Sequence, residues 1–302
     1  MSRSKSSLAP AFWANHESVG CFASFGRGVA RRGWSAAGAV ARARLAGLAL
    51  VAAALAHGSP TRADDSQLTA DDIAAKIVRS DAFSWEGART KMRMVLVEAS
   101  GDKKERVMDV MGRRKEGLFQ TLVRFSAPQD IAGTAFLMLE RGKDSSEQYI
   151  YLPGLKRTRR IVGREREGSF MGSDFTYADM QRVESKYAKH KRLADEKIGN
   201  DDVYVIESTL SADAPVNYGK VTTWIRKTDY IALRTRFFDR SGKLAKTLYS
   251  RRVRDVDGKP VVVEARMQNQ ANNHVTDLFI DSIERRDDLS DSTFTPSSLE
   301  HL

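Results

Sequence analysis

The sequence predicts a mainly β protein of the α+β kind, built on one large antiparallel sheet that curls, and three observations carry that expectation. Apolar residues recur at period two along much of the chain. Turn-forming clusters separate those runs at hairpin intervals. Only one stretch has the spacing of an amphipathic helix. About ten or eleven strands joined by hairpins favour antiparallel pairing, because each parallel pair would need a crossover of roughly a dozen residues or more.

In chain order, the first element is the stretch "LAGLALVAAALA" from Leu45 to Ala56, with Arg42 and Arg44 before it and "HGSPTRADD" after it. A basic flank, a short apolar core and a small-residue site ending at Ala63 predict a secretory signal peptide. A membrane-spanning helix needs roughly 20 apolar residues, and this run is shorter and meets Pro60. A buried core helix is the alternative, but such helices rarely lack every polar position. Residues 1–41 carry no periodic apolar pattern, which leaves room for a translation start downstream of Met1, near Val29. Arg31 and Arg32 invite a twin-arginine reading, which the following "GWSAAG" matches poorly.

The expected organisation is therefore residues 1–63 as signal peptide and upstream basic extension, and 64–302 as one domain. Eight of the 49 basic and one of the 39 acidic side chains fall in 1–63, which leaves 41 against 38 and a net charge of +3. A nucleic-acid partner is not implied by so small a surplus. The single cysteine, Cys21, precedes the apolar core, so neither lipoprotein acylation nor a disulfide is expected in the mature chain.

The domain opens on "LTADDIAAKI", where Thr69 serves as N-cap, Asp72 follows three residues later, and Ile73 and Ile77 lie one turn apart. Strand patterns follow. Phe119, Val123 and Phe125 alternate with Gln120, Leu122 and Arg124; Ile231, Leu233 and Phe237 with Ala232, Arg234 and Arg236; Val261, Val263, Ala265 and Met267 with Glu264, Arg266 and Gln268. The turn signals are "ASGD" at 99–102, "GNDD" at 199–202, "DRSG" at 239–242, "DVDG" at 255–258 and "QANN" at 270–273. One-sided strands suit a curved sheet with a wet convex face and an apolar concave one. Such a sheet has more concave surface than one short helix covers, so the rest is filled by another segment or left as a ligand cavity. "TAFLML" at 134–139 and "YIYL" at 149–152 are apolar on both faces, so something packs on each side of them.

Catalytic chemistry finds little support. His190 and His274 lie among lysines and in an Asn-rich turn, and both read as solvated surface residues. No G-x-S-x-G elbow, H-E-x-x-H pair, P-loop or dinucleotide fingerprint is present. "DVDG" resembles the start of a calcium loop but lacks the third acid and the distal glutamate, and a hairpin explains it better. No metal or other cofactor is expected.

The central block runs "YIYLPGLKRTRRIVGREREGSFMGSDFTYADM" from Tyr149. Six basic residues between Lys156 and Arg166 read either as a solvated face or as a patch meeting acidic head groups or an acidic partner. In "GSFMGSDF" the glycines allow unusual backbone angles and Phe170, Met171 and Phe175 supply apolar bulk, as expected of a loop over a cavity mouth. Asp174 is assigned a structural role, accepting hydrogen bonds from loop amides or pairing with an arginine. Alternation nominates Phe119, Val123, Phe136, Met138, Tyr149, Tyr151, Ile231, Leu233, Phe237, Val263 and Met267 as ligand-contacting residues of the concave face, with Phe170, Met171 and Phe175 on the lid. The alternative is that these side chains form a filled core.

"GTAFL" from Gly133, "YLPGLKRTRRI" from Tyr151, "GSFMGSDFTYADM" from Gly168 and the ending "STFTPSSL" together resemble the LolA-like family of outer-membrane lipoprotein-sorting proteins. The resemblance covers essentially all of 64–302. It implies an unclosed antiparallel β-barrel covered by helical segments, with an apolar cavity, in the periplasm of a Gram-negative bacterium. It further implies a non-enzymatic carrier of lipid or lipoprotein acyl chains, loaded by an inner-membrane exporter, unloaded at an outer-membrane acceptor, and touching membrane surfaces transiently. A sensor or adaptor for lipidated peptides is the alternative, and a hydrolase using acids near Asp174 a more distant one.

Overall fold

The computed structural model describes residues 68–77, 86–142, 146–181, 183 and 185–301. The signal peptide, its upstream extension and the Ala63 cleavage site lie outside the described residues. The opening helix α1 (Ala70–Ile77) forms as its sequence requires. Thr69 Oγ1 accepts from the Asp72 amide at 3.1 Å and the Asp72 carboxylate accepts from the Thr69 amide at 3.0 Å, a reciprocal cap. Ile73 is fully buried under it.

Among the described residues the sheet has fourteen strands, more than the ten or eleven expected: β1 (Gly87–Val97), β2 (Lys103–Lys115), β3 (Leu118–Ala127), β4 (Ala135–Glu140), β5 (Ser146–Leu152), β6 (Arg157–Arg160), β7 (Ala188–Arg192), β8 (Glu196–Ile198), β9 (Asp201–Leu210), β10 (Lys220–Arg226), β11 (Ala232–Phe238), β12 (Leu244–Val256), β13 (Lys259–Asn269) and β14 (Val275–Arg285). The additions are short, polar pieces such as β6 and β8, whose composition carries no alternation. Strand order is β6-β5-β4-β3-β2-β1-β14-β13-β12-β11-β10-β9-β7, with β8 also on β9. Two antiparallel meanders are thus joined by one non-local pairing, β1 with β14. Each turn signal named from the sequence falls between consecutive strands. "DVDG" is a hairpin, with Gly258 at φ +79° and its amide donating to Asp255 Oδ1 at 2.9 Å.

The sheet curls without closing, since β6 and β7 are its two edges. Gln181 shows how far. Its Oε1 accepts from Ser146 Oγ at the start of β5, at 3.0 Å, and its Nε2 donates to Pro215 O between β9 and β10, at 2.6 Å. Laid flat, strands so many places apart would be roughly 40 Å distant at about 4.8 Å per strand. One glutamine spans them because the sheet bends round on itself.

The outer face of β3–β5 is covered by the C-terminal turns Asp291–Phe294 and Ser297–Glu300, whose Phe294 and Leu299 pack on Leu122, Leu137 and Leu139. All six residues of β4 are therefore buried, as its two apolar faces require. Arg113 fixes the cover by donating to Leu289 O at 2.7 Å and to Asp291 Oδ1 at 2.5 Å, and by lying over the Phe294 ring.

Candidate functional site

The inner face of the curled sheet is an apolar trough lined by residues such as Met94, Met108, Phe125, Ile150, Phe237, Val263 and Met267. Segment 163–180 forms three short 3-10 turns: Gly163–Glu167, which buries no residue, and Phe170–Gly172 and Tyr177–Met180, which enter the trough. Its backbone bonds close on itself: Phe170 N donates to Phe175 O at 2.7 Å, Ser173 N to Phe170 O at 3.0 Å and Tyr177 N to Gly168 O at 3.2 Å. Met171 at φ +52° and Gly172 at φ +75° reverse the chain, so Phe170 and Phe175 both point into the trough. Phe170 is 2% exposed, with ring centroids 5.3 Å from Phe136, 5.9 Å from Phe125 and 5.5 Å from Tyr177; Phe175 is 1% exposed.

Polar side chains tie this plug to the sheet. Asp174 Oδ2 accepts from Thr276 Oγ1 at 2.7 Å and lies 2.7 Å from His274 Nδ1, while the Asp174 amide donates to Thr276 Oγ1 at 2.9 Å. Asp179 pairs with Lys246 of β12 and accepts from Tyr218 OH at 2.8 Å and from the Thr176 amide at 2.7 Å. Lys246 also donates to Asp174 O at 3.2 Å. Burial, then the Asp179 carboxylate, pushes the Tyr218 hydroxyl well above its ordinary value, so it remains a proton donor to that carboxylate. On the β5 side, Gln148 Nε2 donates to Tyr177 O at 2.8 Å and Arg166 Nη2 to Ser146 O at 2.7 Å. The plug is thus joined to the sheet by side chains rather than by a backbone ladder.

Of the residues nominated from the sequence, Val123, Phe136, Met138, Phe170, Phe175, Phe237, Val263 and Met267 meet in this one cluster, with Met171 packed against it. Phe119 is buried at the start of β3 with Arg114 over its ring at 4.1 Å, outside that cluster. Four nominations are corrected. Tyr149 and Tyr151 lie on the outer face with Leu122, Leu139 and Leu299, leaving Gln148 and Ile150 inward. A strand apolar on both faces gives period two no phase, and a one-residue choice exchanges the faces. Ile231 and Leu233 also pack outside, with Val203, Val205 and Trp224. A bulge shifts the β10–β11 register between Trp224 and Ile225, so Leu233 is out of phase with Phe237.

Three other expectations change. His274 is buried against Asp174, and His190 is half-buried with Nδ1 2.7 Å from Ser208 Oγ; burial holds the His190 ring below its ordinary pKa. Asp174 does fix the loop, but through His274 and Thr276 rather than through loop amides or an arginine. The apolar space under the loop is occupied by the loop's own aromatics. Between α1 and β9–β10 a cavity of about 50 Å³, touched by Ala74, Ile77, Val183 and Leu210, has room for water but not for an acyl chain. A cleft of about 460 Å³ beside the plug has mixed walls, with Ser173, Thr176, Tyr218, Lys246 and Asn269 beside Ala178, Leu244 and Ala245.

The basic block splits. Arg159 and Arg160 pair with Glu165 and Glu147 at the β6 edge, whereas Arg166 turns inward and burial lowers its pKa. The Asp174–His274 pair has two of the three groups of a hydrolytic triad, yet no hydroxyl bonds the other ring nitrogen among the described residues; Glu98 Oε2 lies 3.9 Å from it. The plug's polar ties were invisible in the sequence because Asp179, Lys246, Tyr218 and Thr276 are far apart along it.

A family model described as "Uncharacterized protein" matches residues 117–301. Among solved structures, an outer membrane lipoprotein-sorting protein domain from Vibrio parahaemolyticus is 30% identical with a TM-score of 0.71, over 76% of this chain and 97% of that one. The chain belongs to the LolA-like outer-membrane lipoprotein-sorting protein family. A DUF1329 family protein from Desulfovibrio piger superposes equally well, at TM-score 0.71 and 25% identity, over 76% of this chain and 96% of that one. A LolA superfamily protein from Nitrosomonas europaea shares the fold at TM-score 0.60 and 20% identity, over 76% of this chain and 98% of that one. No curated protein matches. The family match takes in the LolA-like sheet from β3 onward, the plug and every partner that ties it down.

Proposed function

We propose that this protein is a periplasmic, non-enzymatic carrier that binds acyl chains of lipids or lipoproteins on the inner face of its sheet and passes them toward the outer membrane. The observation that supports it is the plug. Phe170, Met171 and Phe175 occupy the apolar trough from a segment that shares no backbone–backbone bond with the sheet, so it can withdraw without breaking the sheet. Cargo replaces one set of apolar contacts with another. Each aromatic withdrawn forfeits about 1.5–3 kcal/mol of burial, which an acyl chain recovers at about 0.8 kcal/mol per methylene. The family relationship supports the lipoprotein-sorting context and, with the signal-peptide pattern, the periplasmic one. An inner-membrane exporter and an outer-membrane acceptor complete the reading as donor and recipient.

Thiol reactivity tests it. Phe170→Cys in the exported chain places a thiol at the base of the plug, since Cys21 falls in the segment expected to be removed. Labelling is expected to be slow alone and to accelerate when a lipopeptide or phospholipid is added. Detergent-free purification followed by native mass spectrometry should find a co-purifying lipid. Labelling indifferent to every acyl compound, together with an empty protein, would overturn the carrier reading.

A further inference from the structure

Arg106 stands on β2 directly across from Met94 of β1, one alternation before Met108, so its side chain enters the apolar face that those two methionines line. Among the described residues it makes no hydrogen bond or ion pair, and its Nη1 is buried without a partner. Burial lowers its pKa, and Asp130, on the exposed β3–β4 loop, is the carboxylate whose charge opposes that. The other arginines near the plug are occupied: Arg166 holds Ser146 O and Gln181, and Arg159 holds Glu165. A buried guanidinium nitrogen with no acceptor is a cost that the Asp130 charge offsets only in part.

Its position gives that cost a use. Gly172, at the tip of the plug, lies against Arg106: a β-carbon there would sit 3.5 Å from Arg106 Nη2 and 3.9 Å from Leu96. The tip is the part that must leave when cargo enters. A chain that takes the place of Phe170 and Met171 then ends beside a guanidinium with free donors. Asp174, in the plug's own turn, does not serve as its partner, since its carboxylate is held by Thr276 and His274.

We infer that Arg106 is the head-group site of the trough, selecting acyl cargo that ends in a carboxylate or phosphate. This rests on the carrier reading and adds to it a charge preference at a named residue. A guanidinium suits both anions because its forked donors match two oxygens at once.

The test uses the exported chain and four probes: hexadecanoate, hexadecyl phosphate, hexadecanol and inorganic phosphate, each titrated by calorimetry against wild type, Arg106→Gln and Arg106→Lys. Wild type is expected to bind both anionic amphiphiles at least roughly tenfold more tightly than hexadecanol, the scale of one charge-assisted hydrogen bond. Arg106→Gln should abolish that margin, and Arg106→Lys should keep much of it. Equal affinity for alcohol and acid, or a margin that survives Arg106→Gln, would overturn the head-group site and leave the carrier reading standing. Binding of inorganic phosphate as tight as that of hexadecyl phosphate would overturn it in favour of a soluble-anion site. Failure of every acyl probe to bind would overturn both.

Discussion

Replacing Phe170 by alanine separates a plug from an ordinary core residue, because the two make opposite forecasts for ligand affinity. Phe170 is 2% exposed and meets three aromatic rings within 5.9 Å. Truncating such a residue costs about 3–5 kcal/mol when the site cannot collapse. Taking about 3 kcal/mol, the melting temperature should fall by roughly 6–12 °C for a domain of this size. If the ring competes with cargo for the trough, the same truncation lowers the free energy of withdrawing the plug. A protein whose binding-competent state is scarce gains apparent affinity when that state becomes commoner. Even if half of the lost stability belongs to the closed plug, apparent lipid affinity should rise about tenfold, at roughly 1.4 kcal/mol per decade. Differential scanning calorimetry and hexadecanol titration on the same samples provide the two readouts. Loss of stability with unchanged or weaker binding would refute the plug and make Phe170 plain core.

Lys246→Met leaves the Asp179 carboxylate, 2% exposed, without its cation, and should cost about 3–5 kcal/mol in urea unfolding. Adding Asp179→Leu should return part of it, since the uncompensated charge is then gone. Hydrogen bonds from Lys115 and then Arg113 hold the Asp291 carboxyl below the ordinary carboxylate value. Its contribution is therefore present above pH about 4 and is lost as pH falls through the depressed value, so the stability gap between wild type and Asp291→Asn should close on acidification. His190 is depressed by burial, so the folded state takes up a proton less readily than the unfolded chain. Stability should fall as pH drops below about 6.5, and His190→Gln should flatten that part of the profile, read by thermal unfolding between pH 7.5 and 5.

Much of the architecture was legible because it is local. The Thr69–Asp72 cap, the five turn clusters and the alternation in β3 and β13 each depend on neighbours a few residues apart, and the chain shows all of them directly. β6 and β8 were not legible, since an edge strand such as "RTRR" is defined by the strand beside it rather than by its own pattern. The phase of β5 and the bulge at Trp224 escaped for a related reason: which face turns inward is decided by what covers each side, and the C-terminal turns arrive from far along the chain.

The sequence by itself therefore determined the class of fold, the hairpin boundaries and a loop rich in aromatic and glycine residues. Tertiary structure alone decided that this loop goes down into the trough, that Asp174 and Asp179 fasten it to β14 and β12, and that Arg106 is left without a partner beneath its tip. Alternation depends on the two faces of a single strand. Occupancy of a trough depends on residues that the chain brings together only after the sheet has curled.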